Sequence, residues 1–560
     1  MFSAIWNRIK EMLQKLIGPK TVEKALHITP IISSKMAEAI ELWGKMYTDE
    51  APWLHEPDYA DKRLVESMNL AAQISSEKAR MVVLELNSTI TAPTETITED
   101  NPNYVPPAVN DDGFVVKSEE PKTITKEKPV TPTERAEFLN EQFDKVRKKI
   151  RTELEYGIAM GGLVIKPYVV VNDTVSDGVP TQTSTLEFDF IHADGFFPLA
   201  FDGSGNVTEA AFIQTKTDKT TTYTRLEHHK LEGTTVIIEN RAFKSENITQ
   251  QNNIATDLGQ EIPLSEVPEW KDLEPESTIN NVDRLLFAYF KMPDANTVDT
   301  HSPLGVSGYS RAVKLIKQAD LQYSRILWEF EAGEMAIDVD RDALVTGKDD
   351  EDKDISLLPH TQQRLYRRLD IDGQELYQVF APALRDSSLF NGLNQLLMRI
   401  EDVCSISRGT ISEVNSEART ATELKILKQR SYSANADIQE ALEDTFRDVI
   451  YIMDVYCTLY DMVGDAPINS ATGTVDTSKM GRYEASFEWD DSILTDVDTE
   501  LSKRINLMTN GLASKVETRM WYFGETEQQA REALQKINNE GQEDVETEML
   551  NQAAFAKRKK

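Results

Sequence analysis

Cysteine is nearly absent from this chain. Cys404 and Cys457 are the only two in 560 residues. Two thiols build neither a disulfide framework nor a zinc cluster, and they suit a reducing compartment. Positive charge is also short, with 61 Lys and Arg against 94 Asp and Glu and a formal net charge of −33. Proteins that grip nucleic acid present a basic face that neutralises phosphates, so this balance excludes a conventional nucleic-acid-binding domain. No apolar run approaches about 18 residues, which excludes a transmembrane helix. Catalytic signatures are missing too. There is no G-x-x-x-x-G-K-[ST], no H-E-x-x-H, no G-x-S-x-G and no dinucleotide fingerprint. Gly347-Lys348 lacks the rest of a phosphate loop, and Gly305-Val306-Ser307-Gly308 closes one residue early for a nucleophile elbow. The chain reads as no enzyme, with no cofactor and no metal.

One absence is local and informative. Between Thr410 and Val463 there is neither Gly nor Pro. Leu424, Leu427, Ala434, Ile438, Ala441, Phe446, Val449, Met453, Tyr456 and Tyr460 recur there at helical spacing, with Glu440, Glu443, Asp444, Arg447 and Asp448 on the other faces. The pattern predicts one helix over Thr420–Val463, about 44 residues or roughly 65 Å long. A helix of that length needs an equally extended surface to pack on, which points to a subunit of a large assembly.

The rest of the chain holds material for roughly three to four domains. Ile5, Trp6, Ile9, Met12, Leu13, Leu16 and Ile17 predict an amphipathic N-terminal helix that docks on protein rather than membrane; Glu11 in the stripe argues against a signal peptide. Helices follow at Ser33–Tyr47 and Tyr59–Leu86. Thr, Pro, Glu and Asp dominate residues 87–132, which read as a long loop or an arm. Thr131-Pro132-Thr133-Glu134 opens a helix that stops near Gly157. Leu163–Val171, Thr185–His192, Val207–Thr215, Thr221–His228 and Thr234–Phe243 predict an antiparallel sheet of about five strands. A polar insert, 244–280, precedes a further strand at Leu285–Lys291. Helices are expected at Tyr309–Ala332 and Leu389–Ile406, flanking strands at Ala336–Val339, Leu365–Leu369 and Leu376–Val379. A strand at Tyr483–Trp489 and helices at Asp496–Asn510 and Glu525–Asn538 close the chain. The fold class is α+β and helix-rich.

Several polar clusters favour the bland reading. Asp349-Asp350-Glu351-Asp352 with Asp354 reads as a solvated loop rather than a cation site, because adjacent loop carboxylates point apart. Asp370-Ile371-Asp372-Gly373 lacks most of a calcium loop and reads as a turn. His228-His229 reads as a surface pair at a strand end, and Lys557-Arg558-Lys559-Lys560 as a solvated tail.

Five short motifs, in order, resemble the portal proteins of tailed bacteriophages, the family found in phages of Gram-positive bacteria. They are Ser75-Ser76-Glu77-Lys78-Ala79-Arg80, Asp194-Gly195-Phe196-Phe197-Pro198-Leu199, Ser302-Pro303-Leu304-Gly305, Gln322-Tyr323-Ser324-Arg325 with Trp328-Glu329-Phe330, and Thr420-Ala421-Thr422-Glu423-Leu424-Lys425. The resemblance implies a ring of twelve subunits at one capsid vertex, a channel through which double-stranded DNA passes without sequence specificity. It implies as partners the terminase large subunit, a head–tail connector, and the major capsid and scaffolding proteins, with no membrane. It places the protein in the virion, assembled in the host bacterial cytoplasm. By analogy, residues 1–300 form the wing, with 87–132 and 244–280 as flexible inserts. Residues 301–334 and 386–406 are the stem helices, 335–385 the clip and 407–419 the tunnel loop. Residues 420–494 carry the long wing helix and its return strand, and 495–560 the crown. The resemblance puts Arg408, Asn415 and Arg419 of the tunnel loop nearest the DNA. The two arginines either touch phosphates transiently or pair only with Glu413 and Glu417. The rival reading is another virion assembly or scaffold protein whose long helix forms a coiled coil.

Overall fold

The computed structural model describes residues 26, 32–56, 59–84, 86–100, 108–109, 115–116, 123–129, 133–176, 179–218, 221–246, 259–340, 346–348, 354–356, 366–369, 377–413, 421–463, 483–489, 497–525 and 528–537. Two compact units divide the chain, 1–488 and 489–560. The expected N-terminal amphipathic helix, the acidic run 349–353, the turn 370–373 and the basic C-terminus lie outside the described residues.

Helix α1 (Ser34–Tyr47) starts where the Ser33 hydroxyl accepts from the Met36 amide at 3.3 Å, satisfying one of the free donors of the first turn. Met36, Ile40, Trp43 and Met46 recur every three to four residues and are buried. Helix α2 (Leu70–Val83) is shorter than the predicted Tyr59–Leu86 span, because Tyr59–Arg63 is a strand. The reason is tertiary. The Glu66 and Met68 amides donate to Ser324 Oγ and Asp320 Oδ1, and Asn69 at φ 48° breaks any helical path into α2.

The Thr-rich segment read as a loop carries strands in its described parts. Strand β1 (Leu86–Thr91) pairs with the late strand Glu484–Trp489, and Thr94–Asp100 pairs with Thr123–Pro129. Threonine suits a pleated surface, and paired neighbours supply the burial that a lone segment lacks. Helix α3 (Thr133–Met160) runs three residues past Gly157 and buries Leu139, Phe143, Val146, Ile150, Leu154 and Ile158.

Two sheets stand where one was expected. Strands β2 (Gly162–Ser176) and β3 (Val179–His192) form a long hairpin, with Leu163 opposite His192 and Lys166 opposite Asp189. A tight turn then redirects the chain, the Gly195 amide bonding back to His192 O at 3.0 Å. Strand β4 (Phe196–Phe201) therefore leaves β3 and pairs with β5 (Val207–Asp218), which continues to β6 (Thr221–Glu232) and β7 (Thr235–Glu246). The region read as a polar insert supplies β8 (Gln260–Ile262) and β9 (Glu276–Asn280), both on β7. Strand β10 (Ala288–Lys291) joins β2 in the smaller sheet.

Helix α4 (Val313–Ala332) and helix α5 (Asp386–Val403) pack as an antiparallel pair through Ile316, Ala319, Ile326, Leu393, Leu397 and Ile400. Between them, β11 (Ala336–Asp340) pairs parallel with β12 (Tyr366–Leu369) and antiparallel with β13 (Tyr377–Phe380), within two residues of the predicted bounds. The turn leading into α4 requires glycine. A Cβ on Gly305 would meet the Gly161 carbonyl oxygen at 2.1 Å, and Gly161 itself sits at φ 91°.

Helix α6 (Ala421–Leu459) is 39 residues long, close to the prediction. Its apolar stripe from Ile438 to Met453 is covered by the chain's own elements. The Phe143 and Phe446 rings meet edge to face with centroids 5.1 Å apart, and Phe487 of β14 (Glu484–Trp489) lies 5.5 Å from Phe446. Arg135, almost fully buried on α3, donates to Asp454, Thr458 and the Val463 carbonyl. This cover leaves no apolar seam for a coiled coil over residues 438–453.

In the second unit, helix α7 (Val497–Thr509) precedes helix α8 (Lys515–Phe523), which the sequence reading missed. Its signal was present: Ser514 and Glu517 form a reciprocal capping box. Residues 528–537 are helical again.

Candidate functional site

The residues that border the expected tunnel loop are built from the end of α5. Polar Asn394 and Glu401 stand seven residues, or two helical turns, apart on one side of that helix. The helix stops at Cys404, whose amide bonds to Ile400 O, and Ser405 takes a left-handed φ of 56°. The chain then turns back along α5. Asn394 grips the Glu413 backbone twice, accepting from its amide and donating to its carbonyl, both at 2.8 Å.

Glu401 is fully buried and carries the larger share of the turn. Its Oε1 accepts from the amides of Gly409 at 3.1 Å, Ile411 at 2.7 Å and Ser412 at 3.0 Å, and its Oε2 accepts from Ser412 Oγ at 2.6 Å. Converging backbone amides of this kind form a concave nest that binds anions, and Gly409 at φ 91° gives the turn its curvature. Here the nest holds a carboxylate of its own chain.

Arg408 stands outside the nest, 46 % exposed at its side chain. Its Nε and Nη2 donate to the two oxygens of Asp402 at 3.1 and 2.8 Å, a two-pronged pair. Its acid is thus the residue after Glu401, not Glu413. Asn415, Glu417 and Arg419 lie outside the described residues. Glu401, Asp402 and Asn394 were not singled out from the sequence. A polar pair seven residues apart on an otherwise apolar helix was the available signal.

Beneath this turn lies the first resemblance motif. Lys78 is buried beside the Cys404 thiol, and burial lowers its pKa while pushing the thiol up to about 12. The Gln322–Phe330 motif positions α4. Ser324 Oγ accepts from the Glu66 amide at 2.7 Å, and Gln322 reaches the Leu389 carbonyl of α5. At the far end of the pair, Glu329 receives the Arg385 guanidinium on both oxygens. Apolar side chains there are bare: Trp328 is 63 % exposed, Met335 56 % and Phe390 48 %.

A second polar cluster corrects the reading of His228-His229 as a surface pair. Both are buried: on one face His229 meets the Phe212 and Phe287 rings edge-on, and on the other His228 lies between Glu209 and Glu239 of the neighbouring strands. His228 Nε2 lies 2.8 Å from Glu209, and His229 Nε2 lies 2.7 Å from Glu227. Glu227 also takes Lys166 Nζ on both oxygens at 2.9 Å and Arg225 Nη2 at 2.9 Å. Burial raises the Glu227 pKa, but Lys166, His229 and Arg225 outweigh it and hold the carboxyl well below the usual range. Lys166, Arg225 and Glu227 line a cleft of about 270 Å³ with Asp189, His192 and Gln214. Among the described residues, no group of three or more His, Cys, Asp or Glu is placed to hold a metal ion.

The fold thus joins a two-helix pair, a small sheet unit between its helices and a long helix packed on α3 and β14. The family described as "Phage portal protein, SPP1 Gp6-like" matches residues 101–547. The chain belongs to the phage portal protein family. Portal proteins are structural components of the bacteriophage virion that serve genome packaging, and the match covers the sheets, the helix pair, α6 and most of the second unit. No curated protein matches this portal protein closely enough to serve as a relative. None of its described helices is long and apolar enough to cross a membrane.

Proposed function

We propose that this portal protein assembles into a twelve-membered ring at one capsid vertex. Double-stranded DNA is pumped in through its channel by the terminase motor and later leaves through it. In this reading residues 1–300 are the wing, α4 and α5 the stem, 335–385 the clip that docks terminase and then the head–tail connector, 407–419 the tunnel loop, and 495–560 the crown. Arg408, Asn415 and Arg419 lie nearest the DNA, and capsid and scaffolding proteins contact the outer rim.

The observation that carries the reading is the bare apolar end of the helix pair, marked by Trp328, Met335 and Phe390, whereas α1 and α3 of the same unit bury their apolar stripes. Exposed apolar patches of this kind mark contact with partners. Charge agrees with the reading. A ring of twelve carries on the order of 400 negative charges, which repel the DNA backbone and keep it sliding rather than sticking.

Native mass measurement with negative-stain electron microscopy tests the proposal. The expected result is rings with a central hole and a mass near twelve times 63.3 kDa. Trp328→Ala should reduce ring formation while leaving the circular dichroism spectrum unchanged. A chain that stays monomeric even when co-produced with its capsid and scaffolding proteins would overturn the reading.

A further inference from the structure

The turn after α5 has the parts of a phosphate site, yet all are occupied from within. Three amides, of Gly409, Ile411 and Ser412, converge on one point with the Ser412 hydroxyl beside them, and Arg408 stands at the rim. Amide nests and two-pronged arginines are the groups that hold phosphate oxygens. In this chain both hold carboxylates from successive residues of one helix, Glu401 inside the nest and Asp402 on the guanidinium.

We propose that Glu401 and Asp402 mask a phosphate-binding turn, so that a loop bearing an arginine can border the DNA path without holding the backbone. The inference rests on the reading of 407–419 as the channel loop. The two acids act differently. Glu401 is fully buried with four donors on its oxygens, so it is a fixed plug that sets the backbone of 409–412. The Asp402 pair is only partly covered, the guanidinium 46 % and the carboxylate 20 % exposed, so water and salt reach it from the arginine side. Exposed pairs of this kind are weak and salt-screened. A passing phosphate can therefore compete for Arg408 but not for the amides.

The test uses full-length assembled rings and a short random-sequence duplex. Asp402→Asn frees Arg408, and duplex affinity at low salt should rise by about threefold or more, with a steeper salt dependence. Arg408→Ala added to Asp402→Asn should return binding to the parent level. Glu401→Ala should speed hydrogen exchange at the 409, 411 and 412 amides by about tenfold or more, with little change elsewhere. Duplex affinity unchanged in Asp402→Asn, or amide exchange unchanged in Glu401→Ala, overturns the masking. Asn415→Trp separates the two ideas, because a bulky ring on the loop should block packaging if DNA passes there. Blocked packaging with unchanged Asp402→Asn binding sinks the masking alone; normal packaging sinks the channel reading and the inference with it.

Discussion

Glu227→Gln isolates a buried charge cluster of the sheets. Glu227 and Lys166 are each 8 % exposed, and the carboxylate takes two bonds from Lys166 and one each from Arg225 and His229. The amide keeps the shape but loses the charge, leaving Lys166 buried without its counter-ion. Breaking a buried pair by removing one partner costs about 3–5 kcal/mol, whereas replacing both by apolar groups of similar volume is often near neutral. Urea unfolding followed by tryptophan fluorescence should show a loss of about 3–5 kcal/mol for Glu227→Gln, at an unchanged denaturant slope. Lys166→Met with Glu227→Leu should recover most of that loss. The pH dependence follows from the same contacts. Burial keeps His229 neutral and lowers its pKa against the pull of Glu227, and the Glu227 pKa is also lowered in the fold. For both groups the unfolded chain binds protons more readily, so stability is full above about pH 6.5. It falls first as the histidine titrates below about 6.5, then further below about 4.3 as the carboxylate does. Glu227→Gln should show a smaller second fall, with Glu261 and Asp283, also lowered by their arginine partners, supplying what remains. A variant within about 0.5 kcal/mol of the parent, or a double variant as unstable as the sum of its singles, would refute the argument.

Two further outcomes follow from packing. Gly305→Ala places a Cβ 2.1 Å from a backbone oxygen and should abolish soluble folded protein, while Gly203→Ala, with nothing within 4 Å, should leave the melting temperature unchanged. Phe446→Ala removes a ring packed between Phe143 and Phe487. It should cost about 3–5 kcal/mol in the same urea assay, and a loss under about 1 kcal/mol would mean that α6 is not seated there.

What was legible in the sequence was periodic. The absence of Gly and Pro after Thr410 and the stripe through Ile438, Phe446, Val449 and Met453 specified α6 because a helix repeats its own geometry. The strands of the 336–380 unit and the 163–243 region were legible for the same reason, through alternation and β-branched residues. The portal motifs added a family, which the match over residues 101–547 bears out. Contacts across the chain were not legible. Glu66 and Met68 stay outside the helix because Ser324 and Asp320, over 250 positions later, take their amides. His228 and His229 are buried by Glu209, Phe212 and Phe287 of other elements, which the residues of β6 do not name. Glu401 looks like any surface glutamate until the chain folds back and aims three amides at it. Local pattern sets an element, because the backbone repeats within it. Which polar group is buried, and against what, depends on partners the local pattern never names.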